Sequence, residues 1–176
     1  HPEFEIASDP YMQYFKCLRN EIYLTKESRN FDVNTPLTDN FWNSNKGINK
    51  IIENMTLEVP IKSSPLRLVL DAIERGCARD SPKIIPFLNS IVSTNYKSLF
   101  DELLEIIKIA YGDENTKYYG FKSTFSEQFL GPIINTYEES KCVCIVRDPR
   151  AIYASHINEE EKQYPILFII RHWRKS

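Results

Sequence analysis

The residues best suited to chemistry stand in one run, Lys141-Cys-Val-Cys-Ile-Val-Arg147-Asp148-Pro149-Arg150-Ala-Ile-Tyr-Ala-Ser155-His156. Its β-branched apolar residues predict a strand over Cys142 to Val146. That strand ends on a guanidinium, and Asp148-Pro149 predicts a helix start, with a carboxylate able to cap the first turn and a proline suited to the first helical position. Ligands of open α/β sheets bind beyond the carboxyl ends of strands, and the N-terminus of the following helix favours negative charge. An arginine at that junction points to a phosphate-type anion. The same residues also fit a plainer arrangement in which Arg147 pairs with Asp148 or another surface carboxylate and the strand and helix are scaffold.

The pattern Arg-x-Pro-x-x-x-x-x-Ser after an apolar strand resembles the 3′-phosphate-binding segment of sulfotransferases that use 3′-phosphoadenosine 5′-phosphosulfate (PAPS). The resemblance implies that Arg147 and Ser155 bind the 3′-phosphate of the cofactor, with 3′-phosphoadenosine 5′-phosphate as product. Tyr119-Gly120-Phe121-Lys122-Ser123-Thr124 looks like the strand-end lysine element that precedes this segment in the family, and Glu127-Gln128-Phe129-Leu130 like the helix between them. His1-Pro2-Glu3-Phe4 with Ser8-Asp9-Pro10-Tyr11 is similar to the region after the family's first helix, where a His-Pro pair precedes an acidic residue. The stretch from Thr25 to Thr116 matches no family pattern. By this resemblance, of the tyrosylprotein and carbohydrate type, Lys122 and Asp9 are the catalytic residues and the acceptor is a hydroxyl of a carbohydrate, a protein tyrosine or a small molecule. The compartment implied is the Golgi lumen for an enzyme of that type and the cytoplasm otherwise.

Sulfuryl transfer requires an in-line hydroxyl, a base for its proton, and cations on the transferring and leaving oxygens. Lys122 suits the cationic role, although a lysine ending a strand equally fits a solvated surface position. Asp9 carries the carboxylate a base needs, and it stands just as well as an N-cap before Pro10. His156, beside Ser155 on a helix, points about 100° away from it, which suits packing or solvent; His1 and His172 form no constellation with it. Trp173, between Arg171 and Arg174, follows a helical apolar period from Leu167 and reads as a core-facing aromatic.

The family's loop for the 5′-phosphosulfate has no counterpart: neither Arg-Ser-Gly-Thr nor G-x-x-x-x-G-K-[ST] occurs in the sequence. Lys62-Ser63-Ser64-Pro65-Leu66-Arg67 has some of the residue types but no glycine. The expectation is one partial sulfotransferase-like domain over residues 1–176, with the loop upstream of His1.

Composition bounds the alternatives. The 176 residues are 42% hydrophobic and 12% aromatic, enough for one packed domain. A net charge of -2 argues against a nucleic-acid partner. No apolar run reaches the roughly 20 residues of a membrane span. The four cysteines, Cys17, Cys77, Cys142 and Cys144, lack metal-ligand spacing, so no metal site is expected. Asn54-Met55-Thr56 is an N-glycosylation triplet, of consequence only in a secretory lumen and of a kind that also arises by chance. Two rival functions remain: another nucleotide-dependent transferase, such as a small-molecule kinase in which Arg147 serves an ATP phosphate, and a non-catalytic binding module derived from the same fold.

The elements that must position these residues follow from periodicity and caps. Helices are expected over Tyr11 to Leu24, Leu66 to a stop at Gly76, Lys83 to Val92, and Tyr96 to Ala110, with a short one near Lys46 to Asn54 in an irregular Asn- and Ser-rich stretch. From residue 117 onward the grammar becomes strand Tyr118 to Lys122, helix Ser126 to Tyr137, strand Cys142 to Val146, helix Pro149 to Ile157 and helix Pro165 to Arg174. That alternation predicts an α/β fold, a parallel sheet of P-loop nucleotide-binding type with helices on both faces and a helical insert over residues 25–116.

Overall fold

A computed structural model describes residues 3–8, 10–27, 51–62, 64–123 and 126–157. The fold is mixed α/β around a two-stranded parallel sheet, β1 (Phe4–Ser8) and β2 (Tyr118–Lys122), in the register Phe4 to Tyr118 through Ser8 to Lys122. Alternation divides the sheet into two faces. Ala7 and Phe121 point to the core, Phe121 meeting the rings of Tyr11, Phe15 and Phe100 at centroid distances of 5.5, 6.0 and 5.7 Å. Phe4, Ile6 and Tyr118 lie on the other face, each about half exposed, with Phe4 and Tyr118 stacked at 4.8 Å.

Helix α1 (Met12–Glu27) lies within the core, because Tyr11, Tyr14, Phe15, Leu18 and Ile22 recur at helical spacing and all are buried. Its phenols are satisfied by distant backbone: Tyr14 donates to the Tyr96 carbonyl at 2.8 Å, and Tyr11 to that of Leu103. Burial raises both phenol pKa values well above the ordinary tyrosine range.

Helix α2 (Leu66–Asp80) buries Val69, Leu70, Ala72, Ile73 and Cys77 against α1. It does not stop at Gly76 as expected. A Cβ at Gly76 would meet Gln13 Cγ at 2.9 Å, so the glycine serves the close crossing of α1 and α2. The helix ends at Ser81, whose conformation is restricted by Pro82. A 3₁₀ turn (Pro82–Ile84) leads into the short α3 (Ile85–Leu88), which stops before the expected Val92. The Ser90 hydroxyl and amide both bond the Phe87 carbonyl, at 2.7 and 3.2 Å, closing a turn in place of the next helical bond.

Helix α4 (Tyr96–Tyr111) matches its expectation, with the Asn95 side chain accepting from the Ser98 amide at 2.8 Å as N-cap and Gly112 just past the end. Its Leu99, Phe100, Leu103, Ile106 and Ile107 complete the core. The expected helix Ser126 to Tyr137 begins as a 3₁₀ turn (Glu127–Phe129) and continues as α5 (Leu130–Thr136). Helix α6 spans Pro149–Ile157, as the sequence predicts.

The expected strand Cys142 to Val146 is not a strand. Residues 141–148 form no regular structure and are exposed, Val143 and Ile145 by 86% each. Alternation prepares a segment for a sheet, but a strand exists only where a neighbouring edge accepts its hydrogen bonds. Among the described residues β1 and β2 pair with each other alone. Asp9, the expected helix Pro165 to Arg174 with Trp173, and the start of the expected helix near Lys46 lie outside the described residues.

Candidate functional site

The parallel register sets Ser8 opposite Lys122 at the carboxyl ends of both strands. Two contacts from α2 hold that end of β1. The Ser81 hydroxyl donates to the Ser8 carbonyl at 2.8 Å, and the Cys77 thiol to the Pro10 carbonyl at 3.1 Å. Lys122 is exposed at the end of β2.

The other pair of site residues stands on the exposed segment. Arg147 precedes the first turn of α6 and Ser155 lies on that helix, both solvent-facing. Because residues 141–148 lie outside the sheet, Arg147 ends no strand, and the sheet edge carries Lys122 without it. Asp148 acts as the expected cap: its Oδ1 accepts from the Arg150 amide at 2.8 Å. Its carboxylate also takes the Arg150 guanidinium through Nε at 3.0 Å and Nη2 at 2.6 Å. Those bonds to Arg150, side chain first, hold the Asp148 carboxyl down at about 2. The Asp148 carboxylate, one of the partners that the plainer sequence reading gave to Arg147, binds Arg150.

One supporting set was not foreseen from sequence. Lys16, Arg19, Asn20 and Glu21 of α1 are all buried, although charges on a helix usually face water. Arg19 donates to the Gln128 side chain in the 3₁₀ turn after β2, and Glu21 accepts from the Lys62 amide at 3.2 Å. The first of these ties α1 to the segment that leaves the Lys122 edge. Strand β1 itself was also missed, though Phe4 and Ile6 alternate with Glu5 and Ala7.

Among the described residues no three His, Cys, Asp or Glu side chains gather as a metal set, and no helix is long and apolar enough to cross a membrane. A scan against protein-family models, a search of curated proteins and a search of solved structures each find no match to the chain.

Proposed function

We propose that the chain is a PAPS-dependent sulfotransferase domain acting on the hydroxyl of a carbohydrate, a protein tyrosine or a small molecule. The observation that carries the reading is the sheet register: Ser8 opposes Lys122, so the carboxyl ends of both parallel strands share one edge, and Lys122 stands on it. PAPS supplies the sulfuryl group and leaves as 3′-phosphoadenosine 5′-phosphate. In this reading Asp9 takes the acceptor proton while the acceptor oxygen forms its bond to sulfur and the bond from sulfur to the 5′-phosphate oxygen breaks. The Lys122 ammonium offsets charge on the transferring and leaving oxygens, and Arg147 and Ser155 hold the 3′-phosphate.

The reading calls for the finer architecture of a parallel P-loop-type sheet with helices on both faces, of which the parallel pair β1 and β2 is the part in place.

The test is calorimetric binding of 3′-phosphoadenosine 5′-phosphate beside adenosine 5′-phosphate. The 3′-phosphate should add affinity, and Arg147→Ala and Ser155→Ala should each remove about tenfold of it, the scale of one hydrogen bond to a charged group. Equal affinity for the two nucleotides would sink the assignment. Transfer that persists in EDTA sets this chemistry apart from that of a Mg²⁺-dependent kinase.

A further inference from the structure

The triplet Asn54-Met55-Thr56 sits in a turn that packs against α5. Buried Ile52 and Leu57 anchor the chain before and after it. Met55 is partly buried against the core, and its carbonyl accepts from the Asn135 side chain of α5 at 3.1 Å. The Leu57 amide donates to the Thr136 hydroxyl at 2.9 Å. A Cβ at Gly131 would lie 2.3 Å from the Glu53 carbonyl oxygen, so α5 approaches the backbone here as only glycine allows. The middle residue and the flanks thus face α5, while Asn54 and Thr56 are both exposed.

We propose that Asn54 is the acceptor of an N-linked oligosaccharide when the chain enters a secretory lumen. The transferase reads the carboxamide together with the hydroxyl two residues on, and Met55 is not the excluded proline. In the reaction the Asn54 Nδ2 attacks the anomeric carbon of the first sugar of a polyprenyl-pyrophosphate-linked oligosaccharide. A C–N bond forms, the bond from that carbon to the pyrophosphate oxygen breaks, the lipid pyrophosphate leaves with the electron pair, and the amide nitrogen gives up one proton to a base. A glycan is large and hydrophilic, so the folded chain tolerates it only at a surface position. Asn54 meets that demand without disturbing the bonds to Asn135 and Thr136.

The test is expression of the full chain behind a cleavable secretion leader in a eukaryotic cell. A single upward mobility step should appear, be removed by peptide N-glycosidase, vanish in Asn54→Gln and Thr56→Ala, and persist in Thr56→Ser. The glycosylated chain should keep the helical circular dichroism of the bare one. A lumenal chain with no glycosidase-sensitive form overturns the proposal, as does a mobility step that survives in Asn54→Gln. The glycan is added to the nascent chain, so a variant that folds poorly still reports. The proposal is independent of sulfuryl transfer, and neither result bears on the other.

Discussion

Ser8 and Lys122 face each other at the last rung of a parallel ladder, with the Ser8 carbonyl held from behind by the Ser81 hydroxyl. The arrangement fixes the backbone of the edge while leaving the Lys122 side chain in solvent.

Replacing Lys122 therefore separates chemistry from stability. Lys122→Ala should lower the rate of sulfuryl transfer about 10²- to 10³-fold, the usual loss for one donor to a developing charge. Its melting temperature should stay close to that of the parent, since exposed substitutions usually fall within about 0.5 kcal/mol. Steady-state kinetics beside a thermal melt decides the point, and an unchanged rate removes Lys122 from the mechanism.

Asp9 is tested by two substitutions with opposite signatures. As the base, Asp9→Asn should lower kcat about 10²- to 10⁴-fold with little change in nucleotide affinity. As a cap alone, Asp9→Ala should cost about 1 kcal/mol of stability and leave turnover nearly intact. A stably folded Asp9→Asn protein with full kcat assigns the residue to capping.

The contact at Gly76 predicts a reversal of sign. In an open helix interior Gly→Ala stabilises by about 1 kcal/mol, but here the new Cβ meets Gln13 Cγ at 2.9 Å. Gly76→Val should destabilise by about 1–3 kcal/mol through overpacking. Adding Gly76→Ala to Gln13→Ala should instead raise stability, because the obstructing side chain is gone. Urea titration of the single and double variants reads both effects, and an equal response of Gly76→Ala in the two backgrounds refutes the contact.

Alkaline pH should weaken the fold. Burial pushes the Cys17 thiol up to about 11 and the Cys77 thiol to about 12, and raises the phenols of Tyr11, Tyr14 and Tyr96. These groups keep their protons in the folded state at pH values where the unfolded chain loses them. Their contribution is whole below the ordinary thiol pKa of about 8.5 and is lost as pH rises toward the folded values. Melting temperature should fall steadily above about pH 9. In the same pH range thiol reagents should modify exposed Cys142 and Cys144 quickly and reach Cys17 and Cys77 only on unfolding. A flat melting curve to pH 11, or four equally fast thiols, would contradict the burial.

Much of the helical frame was legible because it is written locally. Asn95 before Tyr96, Gly112 after Tyr111 and Asp148 before Pro149 specify ends through backbone chemistry within a few residues. Tyr118 to Lys122 was legible as a strand for the same reason. What the sequence hid depends on partners far along the chain. Gly76 looks like a helix stop until Gln13 is seen against it, and Cys142 to Val146 looks like a strand until the absence of a ladder is seen. The buried charges of α1 are another case, since only the fold brings Gln128 and Lys62 to Arg19 and Glu21. Of the site, the lysine and the capped helix start were readable, whereas the pairing of β1 with β2 was not.

The pairing of Phe4–Ser8 with Tyr118–Lys122 has a consequence for how the chain is made. Strand β1 leaves the ribosome well before β2, the partner that completes its hydrogen bonds, which is synthesised only after every residue of α1 through α4. At typical synthesis rates of about 5–20 residues per second, a strand bearing Phe4 and Ile6 waits several seconds with open edges on both sides. Contacts so distant in sequence form slowly even in the released chain. Yield in the cell should thus follow chaperone supply and growth temperature more closely than the stability of the finished fold.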